Sequence, residues 1–148
     1  MEGNFPPYIR SYIQSYNDVI GDGNCGYRAV ALAIYGSEDQ WPTVRMNLLN
    51  ELRIRRDLYE KVLRGCITMP GFEETLEHFD GFAPRDKWFS LPEHGYLVAT
   101  TYNVFVMAFS EHGGFFCLPA ITDDHRGLRT IKLVLGNLYD NSHWILCI

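Results

Sequence analysis

Cys25 sits in the segment Gly21-Asp22-Gly23-Asn24-Cys25-Gly26-Tyr27-Arg28, where a strand-like run gives way to a helical one. A helix N-terminus is where a thiol most readily ionises, because unpaired backbone N–H groups and the positive end of the macrodipole both favour the anion. Far along the chain, Asn141-Ser142-His143-Trp144 opens a final apolar run and offers an imidazole. A cysteine early and a histidine late, joined only by folding, is the pairing of a thiol hydrolase.

The same glycines admit rival readings. Gly21, Gly23 and Gly26 fit G-x-G-x-x-G, the dinucleotide fingerprint, which also requires a second parallel strand soon after the helix, ending in an acidic residue. Here the chain runs instead into a second helical stretch at Pro42. Gly21 and Gly26 also begin a phosphate-binding loop, but Tyr27-Arg28 replaces the Lys-Ser/Thr that would hold phosphate and magnesium. A calcium loop starting at Asp22 would place Ala33 where its closing glutamate belongs. The plainest alternative is a glycine turn that happens to contain a core cysteine.

The elements that must position these residues follow from periodicity. Residues 1–14 read as an extended arm, and Tyr16–Ile20 as a short extended segment entering the loop. A helix is predicted from about Cys25 to Tyr35, with Asn24 or Asp22 as N-cap and Gly36 as C-cap. Within it Cys25, Ala29 and Ala33 share one stripe, flanked by Val30 and Ile34. A second helix starts near Pro42, buries Val44, Leu48 and Leu52, and continues with breaks to about Leu63. Phe72–Phe79 reads as another short helix, and Ser90-Leu91-Pro92-Glu93 as a capping box opening a helix to about Asn103. Strand periodicity then takes over at Val104–Ser110, Phe115–Leu118, Thr130–Leu135 and His143–Ile148, with Gly113-Gly114 and Gly136-Asn137 as turn residues. Helices first and short-looped strands afterward indicate an α+β domain with a mostly antiparallel sheet.

Composition sets the outer limits. At 148 residues the chain is read as one domain, 1–148, able to bury about 70% of its unfolded surface without staples. The sequence stops on a strand, and the expectation is a domain of a longer chain. A net charge of −5 argues against nucleic-acid binding and favours a basic partner. Arg53, Arg55, Arg56, Lys61 and Arg64 crowd one helical stretch and read as a solvated face. Cys66, Cys117 and Cys147 read as small buried hydrophobes, unpaired, in an intracellular protein, cytoplasmic or nuclear. No apolar run reaches the roughly 18 residues of a membrane span. His78, His94, His112 and His125 are given no catalytic role, and no Cys or His pair has metal-ligand spacing.

Asp22-Gly23-Asn24-Cys25-Gly26-Tyr27-Arg28 resembles the D-G-N-C-x-[FY]-R signature of the ovarian-tumour (OTU) family of cysteine peptidases, papain-like deubiquitinases. His143-Trp144, a histidine and an aromatic opening a terminal strand, is similar to the family's second motif. With Trp41-Pro42-x-x-Arg45 downstream, the chain looks like the OTU domains of transposon-associated proteins. The resemblance implies a sheet flanked by helical lobes, with the substrate's C-terminal tail in a cleft between them. It implies Cys25 as nucleophile and His143 as the base that takes its proton and returns one to the leaving amine. Asp22, Gly23, Asn24 and Cys25 would form the oxyanion loop, with Asp22 counted with Cys25 and His143 as a catalytic-site residue that shapes it. Implied partners are ubiquitin, polyubiquitin chains or a ubiquitin-like modifier, with no cofactor, metal, nucleic acid or membrane.

One departure stands out. Many family members carry an acidic or amide residue two positions after the histidine, to orient the ring, and here that position is Ile145. Asn17, Asp18, Asp140 and Asn141 are the candidates for the role, and a histidine without such a partner is the remaining alternative. That alternative would make the chain a weak or inactive ubiquitin-binding module.

Overall fold

The computed structural model describes residues 8, 11, 14–110, 113–121, 127–136 and 143–147. Its elements run β1 (Tyr16–Asn17), α1 (Cys25–Tyr35), α2 (Trp41–Ile54), α3 (Arg56–Val62), α4 (Met69–Leu76), α5 (Glu93–Tyr102), β2 (Val104–Ser110), β3 (Gly113–Cys117), β4 (Arg129–Gly136) and β5 (His143–Cys147). The strands form one sheet in the order β1-β5-β4-β2-β3. β2 and β4 run parallel and the other three pairs antiparallel, so the sheet is mostly antiparallel and the class α+β.

Alternation along the strands decides what is buried. Val104, Val106 and Ala108 of β2 lie on one face with Ile131 and Leu133 of β4, in the register Val106↔Ile131 and Ala108↔Leu133, and all five are buried. Helix α1 packs on β5 and β4, α5 packs on β2 and β3, and α2 lies against both helices. The alternate residues Phe105 and Phe116 stack on each other at 5.9 Å, with Phe116 exposed.

The helices follow their local signals with instructive shifts. Gly36 ends α1 in the left-handed region at φ 76°, its N–H bonded to Leu32 O. Ala29, Val30 and Ala33 are buried beside Cys25, as the small-residue stripe requires. Pro42 stands in the first turn of α2, and Val44, Leu48 and Leu52 are each wholly buried. The helix expected at Phe72–Phe79 lies one turn earlier, because Thr68 Oγ1 caps Gly71 N–H and Pro70 falls where a helix tolerates it. Ser90 does not open α5 as a capping box. Leu91–Pro92 is a cis peptide, the helix starts at Glu93, and Ser90 N–H donates to the His94 ring instead.

Two other expectations change, and a third gains detail. Gly113 and Gly114 belong to β3, paired with Ser110 and Phe109, so the turn proper lies outside the described residues. Cys66 is exposed, since it follows the α3 helix at Gly65, whose positive φ turns the chain over the surface; Cys117 is buried. The basic stretch of α2 and α3 is a solvated face, with Arg53, Lys61 and Arg64 exposed, and three of its arginines also meet acids. Arg53 pairs with Glu77 at 3.2 Å, Arg55 with Glu51 at 2.6 Å, and Arg56 with Glu73. Residues 1–7, His112, His125, Asn137, Asp140 and Asn141 lie outside the described residues.

Candidate active site

The loop before α1 is fixed by its own carboxylate. Asp22 accepts two hydrogen bonds from Arg28, Nη2 to Oδ2 at 2.7 Å and Nε to Oδ1 at 3.1 Å, and a third from Asn24 N–H at 3.0 Å. Burial would raise its pKa, but those bonds and the Arg28 charge outweigh it and hold the carboxyl below the usual aspartate value. Asp22 thus shapes the turn and pairs with Arg28. Its backbone carbonyl accepts from Ala83 N–H at 2.8 Å, which ties the loop to residues 81–83.

Gly23 is needed where this loop meets that neighbour. Its φ is +85°, and a Cβ would stand 2.1 Å from the Ala83 carbonyl oxygen. Gly26 is equally tight, since a Cβ there would come within 2.3 Å of the Phe89 side chain. Asn24 takes the N-cap position without capping through its side chain. That side chain is fully buried, accepting from Arg45 Nη2 at 2.9 Å and donating to Gly81 O at 3.2 Å. Asn24 therefore commits both its amide N–H and its side chain inside the protein, and fixes the shape of the loop before Cys25.

Cys25 opens α1, and its sulfur accepts the backbone N–H of Trp144 at 3.3 Å. His143 begins β5, hydrogen-bonds Cys25 through its ring, and has Nε2 2.7 Å from Asp18 Oδ1. With Nε2 engaged by the carboxylate, Nδ1 is the nitrogen that faces the sulfur. Gly21 backs the ring, a Cβ there lying 3.5 Å from His143 Nδ1. The His143 side chain is 4% exposed and that of Asp18 46%, so the ring is enclosed while its carboxylate partner reaches solvent. Burial works to lower the ring's pKa, but hydrogen bonds and charge from Cys25 and Asp18 prevail and raise it to about 9.

Of the four candidates for orienting the ring, the structure brings Asp18 to His143. Asn17 is exposed and pairs through its backbone with Leu146, and Asp140 and Asn141 lie outside the described residues. The β5 strand is held against the helical side by Trp144, whose indole N–H donates to Phe89 O at 3.2 Å. A residue that sequence reasoning left without a role is Arg45, wholly buried and bonded to the loop through Asn24. Its signal was an arginine at i+1 from Val44 on the buried face of a helix, next to the stripe rather than opposite it. Among the described residues no group of three or more His, Cys, Asp or Glu is arranged to hold a metal ion, and no helix is long and apolar enough to cross a membrane.

No protein-family profile matches the sequence, and no curated protein matches it. Solved structures do match the fold. The OTU domain of OTUD1 superposes with a TM-score of 0.70 at 18% identity, covering 97% of this chain and 91% of that one. The viral OTU domain protease of Dera Ghazi Khan virus gives 0.67 at 12% identity, covering 93% and 81%. The Hazara virus OTU bound to ubiquitin gives 0.62 at 12% identity, covering 90% and 80%. All three superpose over 90% or more of this chain, and on that likeness it has the fold of the OTU family.

Proposed function

We propose that the domain is a thiol-dependent deubiquitinase, hydrolysing the isopeptide bond after the C-terminal glycine of ubiquitin or a ubiquitin-like modifier. The observation that carries this reading is the single line of contacts Cys25–His143–Asp18 at the N-terminus of α1. The ubiquitin bound to the Hazara virus OTU supports the choice of substrate.

In the first half-reaction the Cys25 sulfur bonds to the glycine carbonyl carbon while the proton of the pair rests on His143 Nδ1, the ring whose pKa is raised to about 9. The carbonyl oxygen takes up the negative charge. When the tetrahedral intermediate collapses, the C–N bond breaks and His143 returns the proton to the departing lysine amine. A water then attacks the thioester, passing its proton to His143, and the modifier leaves with a free carboxylate while the thiol is restored. Asp18 holds the Nε2–H throughout and fixes the ring's orientation, without itself taking the proton. The Trp144 N–H aimed at the sulfur favours negative charge there.

A ubiquitin probe carrying a C-terminal electrophile tests the reading. Labelling of Cys25 in the native protein, absent in Cys25→Ala and His143→Ala, is the expected result. A folded protein that the probe leaves unlabelled refutes it. Stoichiometric ubiquitin binding with no cleavage of any linkage would instead identify an inactive binding module.

A further inference from the structure

Arg45 is a charge where a hydrophobic residue would be expected. It lies on the buried side of α2 with Val44 and Leu48, and its residue exposure is 0%. Among the described residues no carboxylate forms an ion pair with it. Its guanidinium lies over the Tyr27 ring, 3.9 Å from the centroid. Nη1 donates to Thr75 O at 2.9 Å, and Nη2 donates to Asn24 Oδ1 at 2.9 Å and to Lys87 O at 2.7 Å. An unpaired buried cation is a poor way to gain stability, since an apolar side chain of similar volume costs no desolvation. Its bonds show what it gains instead. They join the residue before Cys25 to the end of α4 and to the turn at 85–87, and Gly81 and Ala83 between those two segments hold Asn24 and Asp22.

We propose that Arg45 is a positioning residue that, through Asn24, holds the loop Asp22–Cys25 in the shape that stabilises the oxyanion. This rests on the thiol-hydrolase reading of the site. The fork geometry of a guanidinium is what the role requires, because two of its nitrogens serve three acceptors on different segments. A lysine keeps the charge but cannot span them. A displacement of about 1 Å at a reacting centre costs about 100-fold in rate, comparable to removing one oxyanion donor.

The test separates reactions that need an oxyanion from one that does not. Alkylation of Cys25 by iodoacetamide displaces iodide at a saturated carbon, with no oxyanion. Acylation by p-nitrophenyl acetate, and turnover of a ubiquitin C-terminal amidocoumarin, both pass through one. Each reaction is followed at the Cys25-containing peptide or by product release, in native protein, Arg45→Lys, Asn24→Ala and the double variant. In Arg45→Lys, kcat on the ubiquitin substrate is expected to fall about 100-fold with KM unchanged. Acylation by the ester should fall at least tenfold, while alkylation stays within about threefold of native. Because Arg45 acts through Asn24, Arg45→Lys should cost nothing further in the Asn24→Ala background. Parallel loss of alkylation and acylation would overturn the proposal, as would a full effect of Arg45→Lys on top of Asn24→Ala. If Arg45→Lys does not fold, Asn24→Ala alone decides: native-like acylation refutes the clamp. Failure of the deubiquitinase reading looks different, namely native protein inert toward the ubiquitin substrate yet acylated by the ester, and the acylation-to-alkylation ratio still judges Arg45.

Discussion

Lowering the pH from 7 to 5 should destabilise this protein through one buried ring, His94. The residue is fully buried on α5, among Phe89, Phe72 and Tyr27. A backbone N–H can only donate, so Ser90 N–H, 2.9 Å from His94 Nδ1, makes that nitrogen the acceptor. Nε2 then carries the proton and donates to Thr75 Oγ1 at 2.9 Å, whose hydroxyl donates to Phe72 O at 2.6 Å. These two bonds suit the neutral ring, and only the Ser90 carbonyl, 3.2 Å from Nδ1, works the other way. Burial first, then the neighbouring Arg45 charge, lower its pKa from 6.5 to about 3. The unfolded chain therefore binds a proton below pH 6.5 that the folded chain refuses until about pH 3, and stability is lost as pH falls through that window. At pH 5 the chain is 1.5 units below the unfolded value, which corresponds to about 2 kcal/mol. For a domain of this size that is a fall in Tm of roughly 4–8 °C. Asp22, held below 3.8, keeps its pairing with Arg28 at pH 5. His143, raised from 6.5 to about 9, gains a little stability over the same range, so the difference between native protein and His94→Gln carries the result. The assay is thermal unfolding by circular dichroism at pH 7, 6 and 5, in native protein and His94→Gln. The glutamine keeps a donor for Thr75 and loses the acceptor for Ser90 N–H, so it should start about 1–3 kcal/mol weaker and show no such slope. A native Tm flat to within a degree, or an equal slope in His94→Gln, refutes the reasoning.

Asp18→Asn should lower kcat on a ubiquitin substrate by about 100- to 1,000-fold with little change in KM, less than the roughly 10⁴-fold known for a buried triad aspartate, because Asp18 is half exposed. In the same variant the His143 pKa, raised to about 9 in part by Asp18, should fall, and the high-pH limb of the rate profile should move to lower pH; an unmoved limb would mean that Asp18 does not act on the ring. Gly23→Ala should cost about 1–3 kcal/mol from backbone strain alone. It should also abolish turnover, since its Cβ would strike the Ala83 carbonyl; native Tm and activity would show that the loop has slack. Cys25→Ala should abolish turnover yet keep Tm within about 4 °C, because alanine is the better helix former and the loss is one sulfur; collapse of the fold would make the thiol structural.

Much of this architecture was legible because local physics agreed with the final packing. Val44, Leu48 and Leu52 repeat at helical spacing and are all wholly buried, and β2 begins and ends where its period of two does. Capping was legible only where the cap acts on its own helix. Gly36 ends α1 as expected, but Asn24 is drawn off by Arg45, and Ser90 by His94, both partners distant or folded back in ways no local pattern encodes. Buried polar groups were hidden for the same reason. Arg45 and His94 look like surface residues until the tertiary structure supplies carbonyls and hydroxyls for them.

The orienting carboxylate shows how a site can be completed by register rather than by motif. On a strand, residues two apart point to the same side, so a group at position 145 would stand beside the His143 ring. The pairing of β1 with β5 is antiparallel, with Tyr16 opposite Cys147 and Asn17 opposite Leu146. One step further along that register lies Asp18, opposite position 145. A cross-strand neighbour shares the face of the residue it opposes. Asp18 therefore stands on the side of β5 where an i+2 residue would, and reaches His143 Nε2 diagonally at 2.7 Å. An isoleucine at position 145 empties the role on one strand, and the edge strand fills it from 125 residues away in sequence. The cost of that solution is dependence on a pairing of only two residues at the sheet's edge, so the orientation of the imidazole rests on whatever keeps β1 against β5.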